Sequence, residues 1–568
     1  MNTKADILVI GAGGAGCRAA IEAAESDPQS RIIVLSQGPV VKSGLTVMAN
    51  GGMRWASDQE DAQYNLFKED VIGGDFLNEQ NLMETLSKEA PVRAKELLDW
   101  GAQELVFKGS APDKKATGPA YSTGHYIPGV TYMATLRKVL ESKPNVIVME
   151  DVITTKLLTS GNRAVGAVVL NIRNGEIFVI AAKSIVLATG GLCELFDHTD
   201  NAPFDMRGHA TGMGCVLACD IGAEVIDLEM IQFTGRQLYP PWLLGNPALL
   251  VSMCGGKYLN ASGEEFMKLP LTRAETQILA HEEIAKGNGT DRGGVYIDLT
   301  VSPLASEEIE KQLKISLAEE IGKERWKLIK EMSEDNPDPK NWKIEFTPGG
   351  AHFAMGGVRI NEKCETNIEG LFAAGEVSGG LHGGNRIGGN ALTEIIVFGA
   401  RAGKYASEYA RGANMVEPDE RLADDERKRL LGMFRSEGTN PETIRNKIGL
   451  IMSEYVAVSR TADGLNKALA ELDALRKGDF AKMRVPQNKV YNSVWVEAIQ
   501  MTYMLDLAEM VTKSALYRTE SRGAHYREDF PKSDPAWLKH TCLTKKNGSI
   551  CLEAVPVTIT KLNPEVSK

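Results

Sequence analysis

The chain has 568 residues, of which 43% are hydrophobic and 24% are charged, and its formal net charge is −11. This length and composition allow a core shared by several domains with a deep cleft between them, and they exclude a small disulfide-held scaffold. The negative charge is spread along the chain, which argues against nucleic-acid binding because that function needs a basic surface.

The eight cysteines include no C-x-x-C pair, and their spacing is unsuited to zinc or to an iron–sulfur cluster. We therefore expect buried free thiols, no metal site and a reducing compartment. The sequence has no apolar run of about 18 residues, and its first residues lead directly into a strand without a signal-peptide pattern. These features predict a cytoplasmic protein that contacts a membrane, if at all, only through other subunits.

The first predicted element is a strand at residues 6–10, followed by a glycine cluster, an Ala-rich helix and a second apolar strand at residues 32–35. This order is typical of a βαβ unit with parallel strands. Two further short apolar runs, at residues 184–188 and 370–374, also end in glycine. They predict that the first domain resumes after an insertion at residues 237–347.

The insertion contains a Lys/Glu-rich helical stretch at residues 306–334, with the surface composition expected of a mobile cap. Beyond it, the apolar spacing predicts helices at residues 424–435, 441–455, 463–477 and 494–517, and therefore an antiparallel helical domain. From residue 534 onward, apolar and polar residues alternate at 551–557, which predicts a strand or a tail.

Gly11, Gly13 and Gly16 occupy the glycine positions of a G-x-G-x-x-G motif, directly after the first strand and at the start of the first helix. The first glycine permits a tight turn, the second lets backbone approach a pyrophosphate, and the third lets helix and strand pack closely. The helix N-terminus then presents unpaired N–H groups to the phosphates. A βα turn without a ligand is the alternative, and the position between strand and helix favours a dinucleotide site.

An acidic residue usually ends the second strand and binds ribose hydroxyls, but Ser36 and Gln37 occupy that place here. This departure weakens the prediction of NAD. The glycine-ended strands at residues 188–191 and 373–376 provide two more places where backbone approaches a large ligand. A cofactor that is contacted by three distant segments suits FAD better than NAD.

Three later segments carry a family resemblance: HFAMGG at residues 352–357, LHGGNRIGGNAL at 381–392 and ESRGAHYREDFP at 520–531. With the glycine motif, they resemble the flavoprotein subunit family of succinate dehydrogenase and fumarate reductase, in order and over most of the chain. The resemblance implies an α/β fold with a Rossmann-like FAD-binding domain in two parts, residues 1–236 and 348–412. It also implies an inserted α+β capping domain at 237–347, a helical domain at 413–533 and a C-terminal tail at 534–568.

Carried over to this sequence, the resemblance makes His352 and Arg386 ligands of a substrate carboxylate and places Arg273 at the family's proton-donor arginine. Reduction of an activated C=C bond requires hydride at one carbon, a proton at the other, and donors that stabilise charge on the carboxylate. Arginine and histidine side chains are such donors. Because arginine has a pKa far above 7, Arg273 would have to act as a relay that is quickly reprotonated.

The resemblance also implies which residues bind FAD. They lie in the glycine motif, at the ends of the strands and in the late motifs. The set is Gly11, Gly13, Gly14, Ala15, Gly16, Ser36, Gln37, Ser43, Gly44, Thr46, Asn50, Gly51, Gly52, Ile153, Ala188, Thr189, Gly190, Gly375, Glu376, Arg386, Asn390, Ala391 and Leu392.

The sequence departs from the family at the place where covalent members attach the flavin. Those members have a histidine between a serine and a Thr-Val pair, whereas residues 43–47 read SGLTV and offer no imidazole. We therefore predict non-covalent FAD, which resembles the reductive members of the family more than the succinate oxidisers.

A second departure lies in the substrate pocket. Where the family's dicarboxylate enzymes read QFHPTG, residues 232–237 read QFTGRQ, so the histidine that holds the second carboxylate is lost. The family's downstream EGG is CGG at residues 254–256. Thr234 and Arg236 remain candidate substrate ligands: either Arg236 restores the anion contact, or the substrate has a different far end.

The leading interpretation is an FAD-dependent oxidoreductase acting on CH–CH bonds. As a flavoprotein subunit, it would exchange electrons with an iron–sulfur partner and reduce a small unsaturated carboxylate, with fumarate and succinate as the default pair. One alternative is a related flavoprotein with another substrate, such as a different enoate reductase, an L-aspartate oxidase or an adenylylsulfate reductase. Another alternative is a non-catalytic FAD electron-transfer subunit.

Overall fold

The computed structural model describes residues 2–49, 52–104, 124–199, 208–239, 251, 254–269, 271–316, 327, 331, 336–546 and 548–564. Its strands are β1 (Asn2–Ile10), β2 (Ile32–Leu35), β3 (Gly52–Arg54), β4 (Gly124–Tyr126), β5 (Val146–Met149), β6 (Val152–Ser160), β7 (Arg163–Asn171), β8 (Ile177–Leu187), β9 (Val225–Ile226), β10 (Ile231–Tyr239), β11 (Lys257–Leu259), β12 (Glu265–Met267), β13 (Val295–Asp298), β14 (Lys343–Ala354), β15 (Gly357–Arg359), β16 (Leu371–Ala373), β17 (Ser378–Gly379), β18 (Lys539–Lys546) and β19 (Ser549–Pro556).

The α-helices of the same residues are α1 (Gly14–Ser26), α2 (Glu60–Gly73), α3 (Gln80–Asp99), α4 (Gly129–Glu141), α5 (Met213–Asp220), α6 (Arg273–Glu283), α7 (Ser306–Ser316), α8 (Asn390–Gly412), α9 (Glu420–Leu431), α10 (Pro441–Tyr455), α11 (Ala462–Lys477) and α12 (Ser493–Tyr517). Within the described part of the chain, no helix combines the length and apolar character that a membrane crossing requires.

The central sheet has the strand order β5-β2-β1-β8-β7-β6, and β16 also pairs with β8. The strands β5, β2, β1, β8 and β16 are parallel to one another, whereas β7 is antiparallel to both β6 and β8. Residues 7–9 of β1 and 32–34 of β2 are apolar and fully buried, as expected for a parallel sheet covered on both faces. The carboxyl ends of the parallel strands therefore meet along one edge of the sheet.

β8 joins the two parts of this domain. Its residues 177–181 pair with β7 and its residues 185–187 pair with β16, both along the edge opposite β1. The later part of the chain thus adds its strand to the sheet that the first part began. This pairing confirms the prediction that the first domain resumes after the insertion.

The capping sheet has the order β10-β14-β13-β11-β12 and is antiparallel throughout. It has its own hydrophobic core, which includes Tyr258, Ile297, Trp342 and Phe346. β10 pairs with β14 over the whole length of β10, from residues 231 and 354 to residues 239 and 345. The domain limits expected at 236/237 and 347/348 fall inside these strands, so the cap extends the same two strands that leave the FAD-binding domain.

The helical domain consists of α9 to α12, close to the positions expected from apolar spacing. α10 has the predicted bounds, and α11 and α12 each begin one residue before the predicted start. α9 begins at residue 420 rather than 424, because the Asp419 side chain accepts a hydrogen bond from the backbone N–H of Arg421 at 2.9 Å and caps the helix there.

Residues 539–546 and 549–556 form a β-hairpin, in the region where the sequence predicted a strand or a tail. β18 pairs with β19 and with β9, in a sheet of order β17-β15-β9-β18-β19. His540 of β18 is fully buried between the carboxylates of Asp227 and Glu79, with Nε2 lying 3.2 Å from Glu79 Oε1. Seven of the eight cysteines are buried free thiols as expected, whereas Cys551 in this hairpin is exposed.

Candidate functional site

The glycine motif forms the turn between β1 and α1, and its geometry requires glycine. Gly11 has φ +107°, and a Cβ there would lie 2.2 Å from the carbonyl oxygen of Ala188. A Cβ on Gly16 would lie 1.9 Å from the carbonyl oxygen of Gly11. Among the described residues, the only atom within 4 Å of a Cβ added at Gly13 is Thr46 Oγ1, at 3.7 Å. Backbone is therefore open to a ligand at the N-terminus of α1, where the helix favours a pyrophosphate.

The other two glycine-ended strands reach the same place. The backbone N–H of Ala188 donates to Ile10 O at 2.8 Å, and that of Ala374 donates to Leu187 O at 2.9 Å. A Cβ on Gly375 would lie 2.9 Å from the Cβ of Ala15 in α1. The three segments predicted to share one cofactor are thus adjacent in the fold.

Two buried polar atoms beside these turns have no partner among the described residues: Thr189 Oγ1 and Asn390 Oδ1. Buried polar atoms are almost always hydrogen-bonded in proteins, so such atoms at a cleft point to a polar ligand. Thr189 follows β8 and Asn390 begins α8, which places both beside the turns of the preceding paragraphs. This environment fits a large dinucleotide such as FAD.

The end of β2 is held by the helical domain. Gln500 of α12 donates from Nε2 to Gln37 Oε1 at 3.2 Å and to the carbonyl of Gly208 at 2.9 Å. Its Oε1 accepts from Arg445 at 3.0 Å, and Arg445 also contacts Glu194 at 3.0 Å. Sequence reasoning identified Gln37 but missed Gln500, because no local pattern marks a residue that acts across 463 positions of the chain.

The remaining predicted FAD residues lie around this cleft. Ser36 and Ser43 donate to the carbonyls of Gly38 and Pro39 at 2.6 and 2.8 Å, and Gly14 N donates to Thr46 Oγ1 at 3.2 Å. Asn50 and Gly51 lie outside the described residues. Gly44 follows Ser43, Gly52 begins β3, Ile153 is buried in β6, Gly190 follows Thr189, and Ala391 and Leu392 are in the first turn of α8.

The structure brings Arg273, His352 and Arg386 together at the junction of cap and FAD-binding domain. Arg273 is the first residue of α6, and a capping box between Thr272 and Glu275 fixes the start of that helix. Arg273 Nη1 lies 2.6 Å from His352 Nε2. A guanidinium has no acceptor, so the imidazole nitrogen accepts this bond and His352 is neutral with its proton on Nδ1.

His352 reaches Arg273 because of a β-bulge. Gln232 pairs with Phe353 and Phe233 pairs with Ala351, so His352 is the extra residue of β14. A bulged residue leaves the normal alternation of the strand, which re-aims its side chain. Nothing in the local sequence of β14 marks this position as a bulge.

Gln232 connects Arg273 with Arg386 and was not assigned a role from the sequence. Its Oε1 accepts from Arg273 Nη1 at 3.2 Å and from Arg386 Nη2 at 3.1 Å. Its Nε2 donates to Asn385 Oδ1 at 3.0 Å and to the Arg386 carbonyl at 2.9 Å. The only sequence signal was its place as the first, unaltered residue of the pocket motif at 232–237.

Arg386 packs against an aromatic side chain, which a histidine and an acidic side chain hold in place. Its guanidinium carbon lies 4.4 Å from the ring centroid of Phe353, which is a cation–π distance. Phe353 in turn packs edge-on against His382, which lies 2.9 Å from Glu394. These contacts limit the positions that the buried arginine can adopt.

Glu376 is a half-buried carboxyl group close to this cluster. Desolvation raises its pKa to about 7, although the hydrogen bond from the backbone N–H of Ala354 and the charge of Arg386 oppose the shift. The N–H of Ala354 donates to Glu376 Oε1 at 3.0 Å. Glu376 therefore changes its charge near neutral pH, beside the site expected for the cofactor.

Thr234 and Arg236 differ in their surroundings. Thr234 is buried in β10, whereas the Arg236 side chain is 46% exposed and forms an ion pair with Asp197. Gly235 pairs with Pro348 and Gln237 with Thr347, so Arg236 is a bulged residue of β10. Asp197 also accepts a hydrogen bond from Ser453 at 2.6 Å. The structure thus gives Arg236 a protein partner outside the Arg273, His352 and Arg386 cluster.

Comparisons with known proteins identify the family of this chain. The sequence model of the FAD binding domain family matches residues 6–392, and that of the fumarate reductase flavoprotein C-terminal family matches residues 445–568. The chain is 36% identical to a fumarate reductase (CoM/CoB) subunit of Methanothermobacter marburgensis, over 96% of this chain and 97% of the relative. It is 30% identical to the fumarate reductase flavoprotein subunit of Escherichia coli, over 99% and 95% of the two chains.

Solved structures give the same result. A point mutant of the E. coli quinol fumarate reductase FrdA superposes with a TM-score of 0.88 at 30% identity, covering 99% of this chain and 98% of that chain. An adenosine-5-phosphosulfate reductase superposes with a TM-score of 0.81 at 19% identity, covering 99% and 97%, which is a likeness of fold.

A bipartite dinucleotide-binding domain with a cap, a helical domain and an Arg–His–Arg cluster defines an FAD-dependent oxidoreductase acting on CH–CH bonds. The chain belongs to the flavoprotein subunit family of fumarate reductase and succinate dehydrogenase, and its cofactor is FAD.

Proposed function

We propose that this chain is the catalytic flavoprotein subunit of a reductase that acts on a carboxylate-activated C=C bond. The observation that supports this most directly is the convergence of Arg273 and Arg386 on the single oxygen of Gln232, next to His352. Two fixed cations and a neutral imidazole form a site for a carboxylate, and they lie beside the strand ends that bind the nucleotide. Fumarate, which appears in the names of several relatives, is the reference substrate and succinate its product.

Each side chain has a distinct role in the proposal. Arg386 and His352 bind the carboxylate, because the guanidinium is held on Phe353 and the imidazole keeps an N–H donor on Nδ1. Arg273 delivers a proton to one carbon of the double bond and is reprotonated at once, since a deprotonated guanidinium is short-lived at neutral pH. Gln232 orients both arginines without contributing charge.

When bound in its reduced form, the flavin would supply a hydride to the other carbon of the double bond; with the proton from Arg273, the acid would gain two electrons and two hydrogens and the flavin would return to oxidised FAD. The turn at Gly11, Gly13 and Gly16 would hold the pyrophosphate, and Gln37 the ribose. Residues 43–47 have no histidine, so the flavin is bound without a covalent link.

The reducing equivalents come from a separate iron–sulfur subunit in this proposal. The chain has no closely spaced cysteine motif for a cluster, and seven of its eight cysteines are buried. If the purified chain alone reduced fumarate at full rate with a physiological donor, the requirement for this partner would be wrong.

The test is anaerobic stopped-flow reoxidation of the dithionite-reduced, FAD-loaded chain by unsaturated carboxylates. We expect reoxidation, and we expect Arg386→Gln to slow it about 100-fold or more, because preorganised charge is a large part of such catalysis. If no unsaturated acid reoxidised the flavin, the chain would be an electron-transfer subunit without its own substrate. Peroxide formed with L-aspartate and oxygen would instead identify an L-aspartate oxidase.

A further inference from the structure

The positive charge of the substrate site is concentrated at one end. The amide oxygen of Gln232 is within 3.2 Å of both Arg273 Nη1 and Arg386 Nη2. The amide cannot turn around, because Asn385 Nδ2 donates to the carbonyl of Gly73 at 3.1 Å and leaves Asn385 Oδ1 as the acceptor for Gln232 Nε2. The two cations thus share a neutral acceptor, which orients them towards one substrate carboxylate without cancelling their charge.

The adjoining part of β10 offers no comparable charge. Side chains two residues apart on a strand lie on the same face, about 7 Å apart, so Thr234 follows Gln232 along the pocket. Thr234 stands where the family's dicarboxylate enzymes have a histidine, and it carries no charge. Arg236 is the next cation along the strand, but its bulge turns it to Asp197, whose carboxylate cancels its charge.

The position of the family's EGG motif is also uncharged. Where the family has an acidic residue in its EGG motif, this chain has Cys254, which is buried. Burial raises the pKa of the Cys254 thiol to about 12, so this side chain also stays neutral.

We propose that the substrate carries a single carboxylate and that its far end, beyond the double bond, is uncharged. This inference rests on the proposed function and narrows it from dicarboxylates to α,β-unsaturated monocarboxylates. The carboxylate binds at Arg386 and His352, with Arg273 beside the double bond, and the far end lies along Thr234. A second carboxylate placed there would lose its water without gaining a cation from the described residues of β10, which is costly.

The test compares ligands that differ only in the charge of the far end. Fumarate and its monoamide have the same double bond and nearly the same shape, and crotonate has a methyl group in place of the second carboxylate. With the reduced, FAD-loaded chain, we expect the monoamide to give a kcat/KM at least about tenfold higher than fumarate, since a desolvated unpaired charge costs at least about 1.4 kcal/mol. Succinamate should also bind the oxidised chain more tightly than succinate, measured from the perturbation of the flavin spectrum.

A fumarate kcat/KM equal to or higher than that of the monoamide would overturn the inference while leaving the proposed function standing. Failure of all three acids to reoxidise the flavin would overturn both.

A substitution tests whether position 234 contacts the far end of the substrate. Thr234→His restores an imidazole at the position of the family's dicarboxylate ligand, and we expect it to shift the ratio of kcat/KM towards fumarate by about tenfold at pH 6, where much of the imidazole is charged. Thr159→His, in β6 of the central sheet, is the matched control and should leave the ratio unchanged. An unchanged ratio in Thr234→His, with FAD still bound, would contradict the placement of the far end.

Discussion

Gln232 and Arg386 are joined twice: Gln232 Nε2 donates to the backbone carbonyl of Arg386 at 2.9 Å, and Gln232 Oε1 accepts from Arg386 Nη2 at 3.1 Å. The side chain of one residue thus fixes both the backbone and the guanidinium of the other. Both residues are buried, so these bonds do not compete with bulk water.

The first prediction concerns the neutrality of Gln232. Gln232→Glu places a negative charge between Arg273 and Arg386 and should weaken binding of the substrate carboxylate about tenfold, corresponding to about 1.5 kcal/mol for hydrogen bonds to charged groups. The measurement is the Kd of a saturated acid from the flavin spectrum, together with KM.

Two variants separate charge from structure in that experiment. Gln232→Met removes the acceptor without adding charge and should raise Kd less than Gln232→Glu does. Gln487→Glu adds the same charge at an exposed loop position and should leave Kd unchanged. Equal effects of Gln232→Met and Gln232→Glu would show that the charge of this residue is irrelevant.

The second prediction is that unfolding releases the flavin. Because residues 43–47 offer no imidazole for attachment, acid precipitation should leave the yellow colour in the supernatant and none in the pellet. The absorbance of the two fractions near 450 nm is the measurement. Colour retained by the washed pellet would contradict non-covalent binding.

The third prediction links the helical domain to the cofactor. Gln500→Leu removes the amide that holds Gln37 and should weaken FAD binding about fivefold, because a buried hydrogen bond contributes about 1 kcal/mol. The Kd is measured by titrating the apoprotein with FAD and following flavin fluorescence. Thr502→Ala on the same helix, where the Thr502 hydroxyl donates to the Ala498 carbonyl of that helix, should leave the Kd unchanged. An unaltered Kd in Gln500→Leu would refute the role of this residue.

The fourth prediction concerns the stability of the C-terminal hairpin. Burial alone would lower the pKa of His540, but the charges of Asp227 and Glu79 raise it to about 9. A histidine with a raised pKa stabilises the folded state fully below its unfolded pKa of about 6.5, and this contribution is lost as the pH rises through about 9. The Tm should therefore fall between pH 6.5 and 9.5, and the fall should be smaller in His540→Gln.

The matched control for His540 is the half-exposed His281 of α6. His281→Gln should keep the pH dependence of the parent protein. If the Tm of His540→Gln followed the parent curve over the whole range, the buried charge pair would not be the cause.

The sequence predicted the elements that depend on local pattern. The βαβ unit, the late glycine-ended strands and the helices α10 to α12 all follow from apolar periodicity and glycine positions, which are visible within a few residues. The resemblance also predicted that Arg273, His352 and Arg386 share a site, and the structure brings these three together.

The remainder depends on contacts between distant parts of the chain. Gln232 binds Asn385 and Arg386, which lie more than 150 positions away in the chain. No local pattern near residue 232 indicates those partners. The bulges that re-aim His352 and Arg236 arise from the register of β10 against β14, which local periodicity does not specify. The sequence predicted a strand or a tail at residues 551–557, and β19 covers most of that range. The pairing of β18 with β9 was not predicted, because it joins residues 542 and 226.

The contact between Gln37 and Gln500 spans 463 positions, nearly the whole polypeptide. A ribosome therefore has to synthesise α12 before the ribose site that we propose at Gln37 is complete. An amino-terminal fragment truncated before α12 contains the residues of the glycine turn. It lacks Gln500, whose side chain donates a hydrogen bond to Gln37 after β2. We therefore expect flavin uptake to be a late event in the maturation of this protein, after α12 has docked.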